Sequence, residues 1–490
     1  MQFYYSNFKS EDTGMKAAGR KIAVWMAVFV LAGTLAPIPA VQAEDAQPID
    51  TRSKELPETT EEEDEETKRA YEMTVDSNKW KNWPIGPQTY GEAGIVMDAE
   101  SGAILYAKNI DGKAYPASIT KVLTTLVALE NSSMEDIVTV SADAVNGIPY
   151  GYAHVGLKAG EEITLKDALY AVLLASANEA SYAVGESVGT KASGNADGGY
   201  AWFLAQMNTR AKELGAVNSN FVNTNGLEDD EHYTTARDMA LITRELLMNH
   251  PEFETISQTL QYTIPPTEME EEPRTFQQVH QMFYEGNEYF NPRVIAGKTG
   301  YTDLARNTLV TCAQGSDLKL VCVVLKTHGK NIYPDTQQLL DYGFGNFEKV
   351  NIEENETSAD IQSMEGESYV VLPSHVKFED LDKVFVPDVK DGPSGVMNYT
   401  YEGNPVGSAK VTVSQEYLTK ISAEEEEKKK EQKSEEKKKE STKEAEKEEP
   451  VIKKAIIGGV LLLIVVLTIY FGYTALQKKR MRKKRNKKKM

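Results

Sequence analysis

The sequence predicts an α+β fold, with an antiparallel sheet packed on a helical subdomain, then a small all-β domain and a C-terminal transmembrane helix. Within 77–346, strand-like segments lie at both ends and helix-like segments lie between them. Strands contributed by both ends of a region favour an antiparallel sheet around a helical insertion. From 347 to 420 the segments are short, β-rich and punctuated by glycine and proline. Residues 455–476 carry no charge.

The elements of the region 77–346 follow from local patterns. The segment 93–108 reads as two strands joined by a Ser101-Gly102 turn, and 305–327 reads as a second hairpin turning at Gly315. An apolar helix is predicted to begin at Ser118. Two further helices are predicted to begin at threonine caps with an aspartate three residues on: Thr164 with Asp167, and Thr235 with Asp238.

The N-terminal 43 residues are predicted to be a signal peptide. From Met15, itself a plausible start, a basic front precedes an apolar middle and a small-residue end with Val41 and Ala43 at the cleavage positions. The mature chain would then begin near Glu44; an uncleaved N-terminal anchor is the alternative. Residues 44–76 are acidic and poor in apolar side chains, so they are predicted to be disordered.

The C-terminal end predicts a single membrane span. Residues 455–476 are long enough to cross a hydrocarbon core of ~30 Å as a helix. The strongly basic tail 477–490 is expected in the cytoplasm, which places the preceding domains outside. Residues 421–452 form a charged linker between those domains and the span. The protein is therefore expected in the cell membrane with its body on the cell-wall side.

Charge and cysteine usage exclude several classes of function. The formal net charge is −20, which argues against nucleic acid as a partner. The two cysteines, Cys312 and Cys322, flank the predicted hairpin turn. They can form a cross-strand disulfide only if the register places them opposite, and two free buried thiols are the alternative. The six histidines are scattered, so neither a zinc site nor a cofactor is expected.

The motif Lys298-Thr299-Gly300 resembles the end of a nucleotide-binding loop. Such a loop needs a glycine six residues before the lysine, and that position is Pro292. A proline lacks both the glycine conformations and the N–H donor. Because the motif precedes the second predicted hairpin, it is expected on a strand, where Gly300 would let a ligand backbone approach closely.

A Ser-x-x-Lys motif offers a different chemistry. Only the copy at Ser118 begins an apolar helix, where the spacing places Ser118 beside Lys121 and close to free N–H groups at the helix start. A helix cap is the alternative role for Ser118. The other copies of the motif precede the predicted signal or lie in loops and the charged linker: Ser6, Ser316, Ser374 and Ser434.

A third motif, Ser-x-Asn, occurs at Ser176 and Asn178 between two helical runs. A second copy beginning at Ser193 lies in a glycine-rich stretch and has the composition of a turn. Serines between helices often only cap them. The three motifs together, on a core helix, between helices and on a strand, are a stronger signal than any one of them.

In this order, "SITK", "SAN" and "KTG" resemble the penicillin-recognising serine enzymes, and the fold expected is β-lactamase/transpeptidase-like. Within them, the chain is similar to the D-alanyl-D-alanine carboxypeptidases, the low-molecular-mass penicillin-binding proteins of serine peptidase family S11. The similarity runs from Trp80 to Leu418, including "GIVMDAESGAILYAKN" and "YTTARDMALI". That family usually anchors through an amphipathic helix, whereas the span predicted here is transmembrane, and the acidic segment 44–76 has no assignable counterpart.

These residues fit an acyl-enzyme mechanism. Ser118 would be the nucleophile, and Lys121 the general base if its amine is uncharged. Lys298 would be the nearby cation that attracts the substrate carboxylate; Ser176 would relay a proton, and Asn178 would hold a substrate amide and orient Lys121. The resemblance implies that Thr299 binds the terminal carboxylate and that the backbone N–H groups of Ser118 and Tyr301 form the oxyanion hole.

The resemblance also implies the substrate and the inhibitors. The expected activity removes the terminal D-alanine from peptidoglycan stem peptides ending in D-Ala-D-Ala, and β-lactam antibiotics are expected to acylate Ser118. Alternatives are a β-lactamase, a D,D-endopeptidase or transpeptidase, and an inactive wall-binding protein. The lifetime of a penicilloyl adduct, and turnover of a pentapeptide with and without an acceptor amine, would separate them.

Overall fold

The computed structural model describes residues 61–389 and 392–423. The predicted signal peptide, transmembrane span and basic tail lie outside these residues, as do 44–60 of the acidic segment and 424–452 of the charged linker. Within the described ranges, no helix combines the length and the hydropathy that a membrane crossing requires.

A five-stranded antiparallel sheet is the centre of the region 77–346, as predicted. Because this region carries the three motifs, it is called the catalytic region. The strand order is β2-β1-β9-β8-β7, so strands from both ends of the region meet and β7 forms one edge. Ser101 and Gly102 lie in the β1–β2 turn, where Gly102 has φ +77°. The strands of this sheet are β1 (Ala93–Asp98), β2 (Ile104–Lys108), β7 (Val294–Thr302), β8 (Arg306–Gln314) and β9 (Lys319–Thr327).

Helices fill the insertion between β2 and β7. Thr164 and Thr235 cap α4 and α7, each accepting from the backbone N–H of an aspartate three residues on, as predicted. Two small hairpins, β3 (Ile137–Thr139) with β4 (Glu162–Thr164) and β5 (Gln261–Ile264) with β6 (Arg274–Gln277), flank the helices. The helices of the insertion are α2 (Lys121–Asn131), α3 (Ala142–Asn146), α4 (Leu165–Leu174), α5 (Asn178–Ser193), α6 (Gly199–Glu213), α7 (Ala236–Asn249) and α8 (Pro251–Ser257).

Two hydrophobic cores lie on opposite faces of the sheet. Alternate residues of β1 divide between them: Ile95 packs with the helical insertion, whereas Val96 packs in the second core with Leu339 of α9 (Ile332–Asn346). This alternation is the two-residue period of a strand buried on both sides. The first core holds α2 in place, and with it the site described below.

The segment preceding the sheet corrects one prediction. Residues 61–76, expected to be disordered, include α1 (Glu61–Glu72). The helix is held by a small apolar contact surface: Ala70 is 5% exposed, Val75, which follows the helix, is 1% exposed, and the ring of Tyr71 packs on that of Tyr90. Lys108, fully buried, donates from Nζ to the Ala70 carbonyl oxygen at 2.7 Å. Amino-acid composition does not predict this helix, because it counts only the few apolar residues of the segment. A small buried apolar surface can hold the helix when a buried amine also bonds to its end.

The all-β domain was correctly expected, and it shares a core with the catalytic region. The sheet order is β10-β12-β15-β14-β13, with β11 also pairing β15. Trp83 packs on Phe347 and Tyr401, with ring centroids 5.3 and 6.4 Å apart. Residues 415–423 are helical. The remaining elements are β10 (Phe347–Asn351), α10 (Ile352–Asn355), β11 (Ile361–Glu365), β12 (Tyr369–Pro373), β13 (Asp382–Pro387), β14 (Ser394–Tyr401) and β15 (Asn404–Val413).

The two cysteines are free and buried. In the β8–β9 register Cys312 lies opposite Val321, and Cys322 lies opposite Thr311. The offset of one residue sends the two thiols to opposite faces of the sheet, into different cores. Of the two possibilities left open by the sequence, free thiols are the correct one.

Candidate active site

Ser118 lies in a 3-10 turn, Ala117–Thr120, directly before α2. The expectation that the α-helix begins at Ser118 is therefore wrong by one turn, because the helix begins at Lys121. Ser118 is not a helix cap either; Pro116 and Thr120 occupy the two cap positions. Lys121 nevertheless stays beside it, with Nζ 3.0 Å from Ser118 Oγ.

Two glycines allow other backbone segments to approach Ser118. A Cβ on Gly226, which has φ +86°, would lie 1.8 Å from the Ala117 carbonyl oxygen. A Cβ on Gly300 would lie 2.9 Å from the Ser118 backbone N. In this structure the backbone close to Gly300 is the protein's own; the approach of a ligand backbone to Gly300 stays a prediction. Ala117 itself has φ +50°, a strained value for alanine.

The Lys121 amine is fully buried and has three polar neighbours. Nζ donates to Asn178 Oδ1 at 2.8 Å and to the Asn225 carbonyl oxygen at 2.7 Å, and the third neighbour is Ser118 Oγ. Burial lowers the pKa of Lys121 well below its ordinary value, and Lys298 lowers it further. A neutral amine has two N–H bonds and one lone pair. Because the two carbonyl-type oxygens can only accept, the lone pair remains for the Ser118 hydroxyl hydrogen.

Ser176 lies between α4 and α5, as predicted from the sequence, whereas Asn178 is the first residue of α5. Asn178 donates from Nδ2 to the Ala153 carbonyl oxygen at 2.9 Å, which directs its Oδ1 toward Lys121. Ser176 has φ +60° and accepts from Lys298 Nζ at 3.0 Å. A strained serine held by a lysine from another element is typical of a functional site rather than of a helix cap.

Lys298 lies on β7, also as predicted, and is 1% exposed. Besides Ser176, its Nζ donates to the Thr299 carbonyl oxygen at 2.7 Å. Burial lowers the pKa of Lys298 to about 7. The buried His280 lies behind this strand: a Cβ on Gly297 would come within 2.8 Å of its ring. Burial, with a contribution from Lys298, lowers the pKa of His280 to about 3, so the ring stays neutral near pH 7.

The other residues expected at the site continue along the edge strand. Thr299 is half-buried, Gly300 is buried and Tyr301 is 40% exposed. Thr308 of β8, opposite Gly300, donates from Oγ1 to the Pro116 carbonyl oxygen at 2.8 Å. This bond fixes the segment before Ser118 against the strand, so the structure brings all three motifs into one cleft.

Three residues at the site were missed by sequence reasoning: Asn225, Gly226 and His280. Asn225 contributes only its carbonyl oxygen, and any residue type carries one, so no sequence signal marks it. Gly226 follows an Asn-Thr-Asn run that reads as ordinary turn chemistry. His280 is one of six scattered histidines.

A serine bonded to a buried lysine, beside a second buried lysine on a sheet edge, is an arrangement that suits a serine hydrolase, since a serine nucleophile needs a base within reach. The profile of peptidase family S11, D-alanyl-D-alanine carboxypeptidase, matches residues 81–329. The match covers half of the chain, and the chain therefore belongs to this family of serine peptidases, as its motifs indicated.

Individual relatives carry the same description. The D-alanyl-D-alanine carboxypeptidase DacF of Bacillus subtilis is 29% identical over 283 residues, which are 56% of this chain and 68% of the relative. DacC of Escherichia coli is 31% identical over 54% of this chain and 64% of its own length. DacB2 of Mycobacterium tuberculosis is 30% identical over 53% and 84%. The chain thus spans just under two thirds of the E. coli relative.

Solved structures with a similar fold include the Streptomyces K15 DD-transpeptidase, at 25% identity and a TM-score of 0.49, covering 54% of this chain and 100% of that one. A D-alanyl-D-alanine carboxypeptidase from Mycobacterium tuberculosis has 26% identity and a TM-score of 0.47, covering 56% and 96%.

Proposed function

We propose that this enzyme removes the terminal D-alanine from peptidoglycan stem pentapeptides ending in D-Ala-D-Ala, through an acyl-enzyme on Ser118. The observation that carries the proposal is the position of Lys121 Nζ, within hydrogen-bond distance of Ser118 Oγ and of two oxygens that can only accept. Two carbonyl-type oxygens take the N–H bonds of the neutral amine, and the Ser118 hydroxyl lies 3.0 Å away on the remaining side. A serine nucleophile needs such a base within hydrogen-bond reach.

The first half of the reaction forms the ester. Ser118 Oγ attacks the carbonyl carbon between the two D-alanines while its proton moves to Lys121 Nζ. The backbone N–H groups of Ser118 and Tyr301 stabilise the negative charge on the carbonyl oxygen. Ser176 donates its hydroxyl proton to the departing amine and receives the proton held by Lys121, so the C–N bond breaks and Lys121 is neutral again. Water then attacks the ester carbon while Lys121 accepts one of its protons. That proton passes to Ser118 Oγ as the ester C–O bond breaks, which frees Ser118.

Recognition of the substrate uses the edge of the sheet. Lys298, when protonated, attracts the free carboxylate of the terminal D-alanine, and the Thr299 hydroxyl bonds to it. β7 lies at an edge of its sheet, where an extended peptide can align beside it as an additional strand. Asn178 binds a substrate amide as well as Lys121. A β-lactam presents a similar carbonyl and carboxylate, so it acylates the same serine.

The location of the enzyme is part of the proposal. A cleaved N-terminal signal and a C-terminal single-pass anchor over 455–476 would hold the catalytic domain on the cell-wall side of the membrane, where stem peptides are. The apolar stretch and the basic tail 477–490 support this placement.

Intact-mass analysis with penicillin tests the nucleophile. The wild-type ectodomain is expected to gain one penicilloyl group, and Ser118→Ala is expected to gain none. Labelling that persists in Ser118→Ala would refute the assignment. Lys121→Ala is expected to remain folded and unacylated, because the amine bonded to Ser118 is gone. Normal acylation would remove Lys121 from the role of base.

Turnover separates the alternatives. Release of D-alanine from a D-Ala-D-Ala pentapeptide is expected without an acceptor amine, as for a carboxypeptidase. A penicilloyl adduct lost within seconds would favour a β-lactamase, whereas product that forms only with an acceptor amine would favour a transpeptidase. An ectodomain that neither turns over nor is acylated would be an inactive wall-binding protein.

A further inference from the structure

Glu179 is a buried acid directly beside the catalytic residues, with no role in the reaction proposed above. It follows Asn178 in the first turn of α5 and is 3% exposed. Its Oε1 accepts from the backbone N–H of Val155 at 2.7 Å and, at 3.5 Å, from that of Leu157. A carboxylate this deeply buried is costly unless its bonds or its charge are used.

The bonds of Glu179 fix a short loop, residues 153–157, that also contacts Asn178. The Ala153 carbonyl oxygen accepts from both the backbone N and Nδ2 of Asn178, at 3.0 and 2.9 Å. An asparagine side chain has one donor end and one acceptor end. Because Ala153 occupies the donor end, Oδ1 must face Lys121. The loop therefore decides which end of Asn178 meets the catalytic amine.

A second set of hydrogen bonds holds the same loop in this conformation. Arg274 donates from Nη1 to the Gly156 carbonyl oxygen at 3.1 Å and forms a buried ion pair with Glu161. Glu161 in turn accepts from the Lys158 backbone N–H at 2.9 Å. The arginine's charge is thus matched by Glu161. Among the described residues, Glu179 makes no ion pair.

The unmatched negative charge of Glu179 acts on Lys121. It raises the pKa of Lys121, against the larger lowering by burial and by Lys298. His232, which bonds to Thr120, has its pKa lowered to about 4 by burial, with a contribution from Lys121. Burial raises the pKa of Glu179 itself; the hydrogen bond from the Val155 backbone N–H and, less strongly, the nearby His154 oppose that shift.

We propose that Glu179 is a positioning residue of the catalytic centre: its carboxylate holds the loop 153–157 that orients Asn178, and its charge sets how readily Lys121 accepts the Ser118 proton. The inference rests on the proposed function, because it assigns Glu179 to the step in which Lys121 is the base. Substitutions can separate the two roles, which are the hydrogen bond that holds the loop and the negative charge near Lys121.

Two variants separate them. Glu179→Gln keeps the length and an acceptor oxygen but removes the charge. Its penicillin acylation rate is expected to stay within about threefold of wild type at neutral pH and to exceed the wild-type rate increasingly as the pH falls, because Lys121 stays neutral at lower pH. Glu179→Asp keeps the charge but is too short to reach Val155. Its acylation rate is expected to fall by up to about 100-fold. The acid limb of its pH profile, where the rate declines as Lys121 becomes protonated, is expected to move much less than in Glu179→Gln.

Glu186→Gln is the matched control. Glu186 is also on α5, two turns further along; burial raises its pKa too, and it accepts from the Ser141 hydroxyl rather than from the loop. Glu186→Gln is expected to have the same pH profile of acylation as the wild-type chain. Circular dichroism melting on every variant separates a loss of folding from a loss of rate.

The measurement is the second-order rate constant for acylation of Ser118 by penicillin, followed by intact mass from pH 5 to 9. The proposal would be overturned if the acid limb of the profile is the same in Glu179→Gln as in wild type and Glu179→Asp is acylated at the wild-type rate. A shift in Glu186→Gln equal to that in Glu179→Gln would also overturn it. A wild-type chain that penicillin does not acylate at Ser118 would instead count against the proposed function.

Discussion

At the residue scale, the proposed reaction assigns two buried lysines the roles of base and anion receptor. Burial lowers the pKa of both amines, and the pKa of Lys121 lies well below its ordinary value. Repulsion between the two amines disfavours the state in which both carry a proton. Lys121 can therefore be neutral while Lys298 still carries a proton, which the proposed reaction requires.

This pair predicts a bell-shaped pH profile of kcat/KM for D-alanine release. The rate rises as the pH passes the lowered pKa of Lys121, because only its neutral form accepts a proton. Above about pH 7, Lys298 loses its proton and with it the attraction for the terminal carboxylate. We expect kcat/KM to fall there by as much as about tenfold per pH unit. A bound carboxylate stabilises the charged amine, so kcat is expected to decline only at higher pH.

A peptide whose terminal carboxylate is amidated provides the control for this profile. Its kcat/KM is expected to be low throughout and to lack the alkaline limb, because no anion meets Lys298. If both peptides lose activity at the same alkaline pH, Lys298 is not the anion receptor.

Gly226 shows how a residue outside the motifs controls the nucleophile. The change Gly226→Ala would place Cβ 1.8 Å from the Ala117 carbonyl oxygen and 3.0 Å from the Ser118 N. Ser118 must then shift, and we expect acylation to fall by about 100-fold or more. Gly215→Ala is the control: its φ of +84° nearly equals the +86° of Gly226, but its Cβ would meet nothing closer than Leu241 at 3.8 Å.

Both glycine variants are expected to lose about 1–2 kcal/mol of stability from the left-handed backbone. Only Gly226→Ala should lose acylation, measured as penicilloyl mass gain over time. Equal acylation in the two variants would show that the contact with Ala117 does not control Ser118.

At the element scale, the C-terminal end of α1 is bound by a buried amine, in addition to the pairing of Glu66 with His328 at 2.9 Å and the packing of Tyr71 on Tyr90. Lys108 donates to the carbonyl oxygens of Ala70 and Thr89, at 2.7 and 2.6 Å, and burial lowers its pKa to about 8. Deleting 61–72 leaves that amine with one fewer acceptor. We expect a loss of about 1–3 kcal/mol from the unsatisfied donor, in addition to the lost packing.

A double-mutant cycle tests this coupling. Lys108→Met in the full chain removes the amine that donates to the Ala70 carbonyl oxygen, which is then left with the Met73 backbone N–H as its donor. In the chain lacking 61–72 the same change replaces an incompletely bonded amine by an apolar side chain. The substitution is therefore expected to cost at least ~1 kcal/mol more in the full chain. Additive effects in thermal or urea unfolding would mean that α1 does not depend on Lys108.

At the scale of the whole molecule, the catalytic region and the β domain are joined by a common core. Trp83 lies between the two, in contact with Phe347 and Tyr401, and Lys81 pairs with Glu402 at 2.6 Å. Phe347 is 5% exposed. The boundary drawn at 346/347 from composition therefore marks a change in secondary structure but cuts through a packed interface.

A chain ending at Asn346 is expected to keep its acylation by penicillin, because none of the site residues lies beyond Lys298 to Thr308. Its melting temperature is expected to fall, since Trp83 loses its contacts with Phe347 and Tyr401 and keeps only that with Trp80 among its aromatic contacts in the described residues. Phe347→Ala in the intact chain should cost about 3–5 kcal/mol of stability for the same reason. If the truncated chain and Phe347→Ala both melt at the wild-type temperature, the interface does not contribute to stability.

The sequence by itself determined the family, the order of the elements and most of the chemistry. Capping at Thr164 and Thr235, the turn at Gly102 and the three motifs are local signals, and local signals are readable because neighbours in the chain are neighbours in space. The same locality explains the errors. The helix at 61–72 forms through Lys108, a residue distant in sequence, and the start of α2 is displaced to Lys121 by contacts with Gly226 and Gly300.

Only the tertiary structure decided where the lone pair of Lys121 points and which end of Asn178 it meets. Those directions come from the carbonyl oxygens of Ala153 and Asn225, which every residue type possesses and which no sequence pattern marks. The strand register decided in the same way that Cys312 and Cys322 face different cores. Directions and registers depend on atoms brought together from separate parts of the chain, so they become definite only when the fold has packed.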